Sequence, residues 1–436
     1  MMMGSKIGTQ EILQPQVRPV NWSMTVAFMF IANVIMWADR SNFSIAAAVW
    51  QKQFSWAPAV LGIMLSTFQF GYWLMQPLGG WLSDKVGPRR MLGASAGGWS
   101  LFTLLTPIAP TVLWLTGTFR VLLGITEAPF LPSTASAVAR AVPTRLQRGR
   151  YNAFIQSASS LGPALGTFFG AILAHSLGVS WIFIVFGGVG VILAIVWLNY
   201  ASPRSDPEPT MPSNRDEEQQ RASEPTIPIS RMLSSGRVWA FIIPYFALPY
   251  CQFMFLAWLP TYFVKYRHIH LVEAGFLSAL PFIVAFFAGN FAGWASDGMT
   301  RLGWTWGDLN RKLFIYLGAI IFAVSILVAA TTPSVGVAVA MIILANVGLQ
   351  FFVMPYWIMV TDMSPRQSGT LTGFMNFFGI LGATIAPTLT GFLIQSTHSF
   401  VLPFRVAAVI MIAATIVIAF FVRIRPLSQL VTKTAK

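Results

Sequence analysis

Charge is what this 436-residue sequence has least of: Asp, Glu, Lys and Arg together make up 10% of it, against roughly 25% in soluble domains. Hydrophobic residues make up 55%. That balance excludes an ordinary soluble globular protein, because most of the folded surface must meet lipid. There is one cysteine, Cys251, in an apolar segment. A disulfide framework and a thiolate metal cluster are therefore excluded. The four histidines, His175, His268, His270 and His398, offer no metal-ligand spacing beyond His268-x-His270. No glycine loop of the phosphate-cradling type occurs. Gly93-Ala94-Ser95-Ala96-Gly97 matches a hydrolase pattern by its letters. The strand-to-helix turn which that chemistry needs is missing around it, and small residues at such spacing pack membrane helices. No enzyme, cofactor or metal site is expected.

What is present is apolar sequence in lengths that fit a bilayer. Residues 151–202 and 313–361 carry no Asp, Glu, Lys or Arg, and each is long enough for two spans of about 20 residues. Hydropathy and turn signals predict an all-α membrane protein with twelve spans. They fall at 22–48, 58–82, 91–109, 111–138, 150–175, 179–200, 237–265, 272–296, 313–330, 334–361, 367–396 and 402–422. Residues 1–21 are polar and read as a cytoplasmic tail rather than a cleavable signal peptide, since the next segment is full length and carries charges inside it. With that tail inside, about 22 of the 28 Lys and Arg fall on cytoplasmic segments and about four outside. Both termini are expected in the cytoplasm. The net charge of +14 is then topological, and nucleic acid is not an expected partner.

Residues 201–236 are rich in Pro, Ser and charge and read as a mobile cytoplasmic linker. They divide the chain into an N-terminal bundle at 22–200 and a C-terminal bundle at 237–424, with a cytoplasmic tail at 425–436. The halves share short matches. Gly80-x-x-x-Asp84 recurs as Gly293-x-x-x-Asp297, and Phe154-Ile155-Gln156 has a counterpart in Phe374-Met375-Asn376. Both pairs sit at equivalent helix numbers, as expected of two pseudo-symmetric six-helix bundles with a site between them.

Gly79 to Arg90 reads GGWLSDKVGPRR. It resembles the loop signature of the major facilitator superfamily through Gly80, Asp84, Lys85, Gly87, Arg89 and Arg90. The resemblance implies that this loop is a conformational latch, with Asp84 docking at a helix N-terminus, where an anion is favoured. The second-half copy departs from the signature: Gly298 follows Asp297, and the basic pair Arg311 and Lys312 is displaced by an insertion. Four more segments, WADRSNFSIAAA (Trp37 to Ala48), GITEAPFLPS (Gly124 to Ser133), WLPTYFVK (Trp258 to Lys265) and LTGFMNFFG (Leu371 to Gly379), are similar to the anion:cation symporter branch of that superfamily. That branch includes carriers of sugar acids, aromatic carboxylates and glutamate.

Asp39, Arg40, Arg120 and Glu127 are the ionisable residues placed well inside spans, at roughly 2.5–3.5 kcal/mol each for a helix centre. Two buried ion pairs would be a purely structural explanation, but such pairs are often no better than apolar packing. Arg120 and Glu127 are seven apart, on one face of the fourth helix. Asp39 and Arg40 are adjacent and point roughly 100° apart, so one can face a cavity and the other a neighbouring helix. Arginine suits carboxylate capture through its bidentate fork. Carboxylates suit proton carriage, because burial favours the neutral form and a nearby arginine the ionised one.

The resemblance implies that Arg40 contacts a substrate anion, that Arg120 pairs alternately with a carboxylate, and that Asp39 and Glu127 carry protons. Tyr72, Gln156, Tyr356, Trp357 and Asn376 complete a candidate pocket, with interhelical packing as the competing role for the aromatics and helix-helix hydrogen bonding for the amides. Trp37 stands where many relatives carry tyrosine, losing a hydroxyl and gaining bulk. The expected function is proton-coupled import of a small organic anion by a monomeric carrier in the bacterial inner membrane. A second reading, proton-antiport efflux, rests on Gly162-Pro163-Ala164-Leu165-Gly166, which resembles the core of a fifth-helix antiporter motif.

Overall fold

The computed structural model describes residues 22–108, 110–141, 145–200, 227–301, 309–363 and 368–423. The described chain is helical, without strands. Its helices are α1 (Trp22–Gln53), α2 (Pro58–Val86), α3 (Pro88–Leu105), α4 (Leu113–Glu127), α5 (Phe130–Ala141), α6 (Arg145–Ser176), α7 (Val179–Tyr200), α8 (Ile229–Leu233), α9 (Gly236–Ile242), α10 (Ala247–Thr261), α11 (Leu271–Arg301), α12 (Leu309–Thr331), α13 (Val335–Met363), α14 (Ser368–Thr397) and α15 (Val401–Phe421). The fourth predicted span is the pair α4 and α5. The seventh is α9 and α10 joined by a 3₁₀ turn at Ile243–Phe246 and closed by a π turn at Tyr262–Tyr266. Proline explains both interruptions. Pro129 removes the N–H that the carbonyl of Ile125 would take, and Pro244 does the same at the start of the 3₁₀ turn.

Among the described residues, ten segments are long and apolar enough to cross a bilayer. α1 and α3 are not among them, for a reason visible in their residues. Along α1, Asn33, Asp39, Arg40, Ser41, Asn42 and Ser44 are all buried, so its polar groups meet protein rather than lipid. α3 is 18 residues long and opens on two arginines.

Helix neighbours repeat with a shift of six spans. In the first half α1 packs on α6, α2 on α4, and α3 on α7; in the second half α10 packs on α14, α11 on α13, and α12 on α15. The two halves meet through α2 against α14 and α6 against α11, contacts that the same shift exchanges with each other. Two six-helix bundles related by a pseudo-twofold axis account for all of these pairs.

Glycine sets how closely the helices approach. A Cβ at Gly162 would lie 2.6 Å from the carbonyl oxygen of Val34, and one at Gly166 would lie 2.6 Å from that of Ala38. The glycines of the antiporter-like segment thus seat α6 on the turn of α1 that carries Asp39 and Arg40. Gly93 and Gly97 of the hydrolase-like pattern likewise face Leu198 and Ala194 of α7, inside a continuous helix. Gly87 has φ 95° between α2 and α3, with Pro88 opening α3; the signature needs glycine there because a side chain is strained at that φ.

One stretch differs from its expected role. Residues 227–236 were grouped with the linker, yet Ile227 and Met232 are buried in the same core as Phe241, and the indole of Trp239 donates to the carbonyl of Leu233 at 2.6 Å. Ile227, Ile229, Met232 and Leu233 give this short piece an apolar side, which the flanking Pro and Ser masked in the composition.

The bundles are pinned at the ends remote from residues 22 and 423. A Cβ at Gly62 of α2 would lie 2.5 Å from the carbonyl oxygen of Pro387, and the Thr388 hydroxyl meets that of Ser66 at 2.8 Å. The backbone N–H of Ala59 donates to Gln395 Oε1 at 3.2 Å.

These close approaches predict a sharp contrast between two glycines. Gly166→Leu forces α6 off α1 and is expected to cost about 1–3 kcal/mol or more, seen as a lower melting temperature and loss of the monodisperse peak in detergent. Gly80→Leu, where nothing lies within 4 Å of an added Cβ, is expected to melt within a few degrees of the wild type.

Candidate functional site

The four charged residues of the span interiors are all buried. α4 brings two of them to one stripe, with Thr116, Gly117, Arg120, Leu123, Gly124 and Glu127 buried together. Glu127 is the last residue of α4, immediately before the proline break. α1 supplies the other two and sends them in different directions, as the 100° offset requires.

Arg40 turns towards Glu127. Its Nε donates to Glu127 Oε1 at 2.7 Å and its Nη2 lies 2.5 Å from the same oxygen. Glu127 Oε2 has no hydrogen-bond partner. The carboxylate thus spends one oxygen on the arginine and keeps the other free. Three rings surround the same guanidinium: its carbon lies 4.2 Å from the ring centre of Trp37, 4.7 Å from Tyr72 and 5.2 Å from Phe68. Such faces favour a cation out of water.

Asp39 turns towards α3 instead. Thr103 donates to its Oδ2 at 3.3 Å and Asn42 to its Oδ1 at 3.2 Å. Both donors are neutral. Arg120 lies against rings: its guanidinium carbon is 4.2 Å from the ring centre of Phe43 and 5.3 Å from Phe68, and its Nε has no hydrogen-bond partner. Arg120 is expected to pair alternately with a carboxylate; in this structure the ion pair to Glu127 is made by Arg40. Across two turns of one helix Arg120 cannot easily reach Glu127, whereas Arg40 approaches from the facing helix.

The remaining expected residues separate into three groups. Trp37 and Tyr72 stand at Arg40, and Trp37 also meets Phe253 of α10 with ring centres 6.2 Å apart, a contact from one bundle to the other. Gln156 is exposed on α6, and Asn376 is half-buried on α14 beside Phe377, whose ring meets Trp73 of α2 at 5.2 Å. Tyr356 is packed inside the second bundle, stacked on Phe241 and Phe352, with its hydroxyl spent on the Phe241 carbonyl; Trp357 is exposed and meets Tyr245 edge-on. Neither is brought to the arginines. Sequence reading missed Phe43, Phe68 and Phe253, which look like any other apolar residues of a membrane helix. It also missed Gln69, which is buried with a free Oε1. An amide near the middle of an apolar span was the available signal.

In the loop signature, Lys85 lies over Trp81 at 4.7 Å, Arg90 is exposed, and Arg89 is buried with its carbonyl accepting from Trp197 Nε1 at 2.9 Å. The side chain of Asp84 lies outside the described residues, as does that of Asp297. Of the displaced basic pair of the second half, Lys312 donates from Nζ to the carbonyl of Val422 at 2.5 Å, capping the end of α15. A cavity of about 490 Å³ between α2, α4 and α14 is distinct from the charges. Ile63, Phe70, Ile385 and Phe392 rim it, and the hydroxyls of Thr67, Thr384 and Thr388 are already engaged within the protein.

Residues 29–382 match the family model described as Major Facilitator Superfamily. The chain is 30% identical over 387 residues to "Sodium-dependent phosphate transport protein 1, chloroplastic" of Arabidopsis thaliana, covering 86% of this chain and 74% of that protein. It is 29% identical over 404 residues to "Probable galactarate/D-glucarate transporter GudP" of Bacillus subtilis (strain 168), covering 87% of each. Among solved structures, that of a D-xylose-proton symporter superposes with a TM-score of 0.73 at 15% identity, covering 92% of this chain and 98% of that one. The last likeness is one of fold.

The buried pair generates a stability prediction. Glu127→Leu leaves the Arg40 guanidinium buried without its carboxylate, a change that costs about 3–5 kcal/mol, whereas replacing both partners by apolar residues is often neutral. Thermal unfolding in detergent is expected to rank the double variant Arg40→Leu/Glu127→Leu above Glu127→Leu alone. The reverse order would mean that the pair is not what holds Arg40 in place.

Proposed function

The chain belongs to the Major Facilitator Superfamily, and on that premise we propose that it imports a small organic anion together with protons, by alternating access of its two bundles. The observation that carries this reading is Arg120: a buried guanidinium whose Nε has no hydrogen-bond partner, sharing the ring of Phe68 with a second guanidinium that is ion-paired to Glu127. A buried guanidinium N–H left without an acceptor is costly, and an anionic ligand supplies one. The names of the relatives, a phosphate transport protein and a probable galactarate/D-glucarate transporter, favour an anionic cargo.

The cycle follows from the contacts. A proton placed on Oε2 of Glu127, the oxygen with no partner, removes the charge that holds Arg40 and leaves two guanidiniums for one anion. Arg40 then takes the carboxylate in its fork while Arg120 supports the charge from across Phe68. With Glu127 and Arg40 both satisfied, the bundles rock. On the other side the anion leaves, Arg40 returns to Glu127, and the proton is expelled. Asp39, hydrogen-bonded by the neutral donors Thr103 and Asn42, is a second proton position on the same helix turn. Trp37 and Tyr72 line the arginine side of the pocket, Gln156 and Asn376 its approach, and the loop signature from Gly80 to Arg90 latches one conformation.

The charge distribution supports both termini in the cytoplasm, of a bacterial inner membrane, with the monomer as the working unit. In that orientation the pinned ends of α2 and α14 face outward. The pair Arg40–Glu127 is then the resting state of an inward-facing carrier that has released its load.

Efflux is the competing reading, and the glycines that suggested it are accounted for by the close packing of α6 on α1. Proteoliposomes decide between them. Internal D-glucarate is expected to drive counterflow of labelled D-glucarate, and an inward proton gradient to concentrate it, with no requirement for sodium. Accumulation driven by sodium at constant pH would replace the coupling ion. Export driven by an inward proton gradient would replace the function.

Glu127→Gln keeps the size and a carbonyl acceptor of the protonated acid but cannot release a proton. It is expected to retain counterflow and to lose gradient-driven accumulation by at least about tenfold. Accumulation at the wild-type level would remove Glu127 as an obligatory proton site. Gly62→Trp, by wedging α2 from α14, is expected to expose cysteines introduced on the outward face of those helices to a membrane-impermeant maleimide.

A further inference from the structure

We propose that Gln69 is a further recognition residue of this site, and that its amide carbonyl accepts a hydrogen bond from a hydroxyl of the transported anion. The inference rests on the anion reading above and adds to it a residue that sets specificity.

Gln69 is 3% exposed and its Oε1 has no hydrogen-bond partner. A buried carbonyl acceptor left unmade is expensive, so it calls for a donor. Its place on α2 says where that donor comes from. At about 100° per residue, Gln69 lies about 60° from Tyr72, whose ring faces Arg40, and about 40° from Trp73, whose ring meets Phe377 of the other bundle. Ser66, one turn away, joins Thr388 of α14. Gln69 therefore sits on α2 between the arginine side of the site and the seam across which the bundles move.

Trp37 offers the complement. Its Nε1 is likewise buried without a partner, on the residue that stacks on Arg40. A hydroxyl both donates and accepts, and the two orphaned groups are one acceptor and one donor. A carboxylate without hydroxyls would satisfy the arginines and leave Gln69 unmatched, which is how a polar site discriminates strongly against an analogue that lacks the polar group.

Purified protein in nanodiscs tests this with D-gluconate and hexanoate, acids of equal chain length with and without hydroxyls, by thermal shift and equilibrium binding. The wild type is expected to bind gluconate at least about tenfold more tightly than hexanoate. Gln69→Met, which keeps the length but removes the acceptor, is expected to weaken gluconate by about tenfold and to change hexanoate by less than about twofold. Gln69→Leu serves if the first variant does not fold as judged by its melting curve. Equal weakening of both acids, or of neither, overturns the role of Gln69. Wild-type protein that binds the two acids equally overturns the hydroxyl preference while leaving the anion reading in place. Wild-type protein that binds neither removes both.

Discussion

The ion pair between Arg40 and Glu127 is the constraint on which the rest of this site depends. It joins α1 to α4, it is shielded from water and lipid, and it uses one carboxylate oxygen while leaving the other free. In a medium of low dielectric such a pair is held by mutual compensation rather than by solvation, so removing either charge changes the balance by far more than at a surface. A proton and an anion are the two species that can do this without mutation. One neutralises Glu127 and the other replaces it at Arg40. In the proposed cycle, coupling of the two fluxes needs no long-range signal, because the two ligands act on opposite ends of one contact.

The fold is arranged to keep that contact dry and to let it be reached. Close seating of α6 on α1 through Gly162 and Gly166 closes one side of the charged turn. Phe43, Phe68, Tyr72 and Trp37 surround the two guanidiniums with ring faces, which favour a cation where water does not. Trp37 also carries the cluster to the other bundle through Phe253. A change at Arg40 is therefore felt within one ring of the surface along which the bundles meet.

Much of this was legible in the sequence because the bilayer makes polarity conspicuous. Asp39, Arg40, Arg120 and Glu127 stood out against apolar helices, and the structure buries all four. The seven-residue spacing of Arg120 and Glu127 placed them on one stripe of α4, and the two-bundle repeat was visible in a few short matches. Partner choice was not legible. Spacing within α4 says nothing of which arginine on a facing helix arrives at Glu127, and the answer was Arg40. Nor could sequence separate Tyr72, which meets Arg40, from Tyr356, which is spent inside the second bundle on the Phe241 carbonyl. Aromatic residues fill membrane helices for packing, and only the three-dimensional neighbours distinguish the uses. The buried end of the apparent linker, Ile227 and Met232, was lost for the opposite reason, a short apolar side diluted by Pro and Ser.

The central claim is that anion binding and protonation of Glu127 are one event. Isothermal titration calorimetry of the purified carrier with D-glucarate, in buffers of different ionisation enthalpy at one pH, counts the protons taken up per anion bound. The account predicts net proton uptake by the wild type at a pH where the empty site is deprotonated, and its loss in Glu127→Gln with binding retained. Equal proton uptake by the two proteins would contradict it.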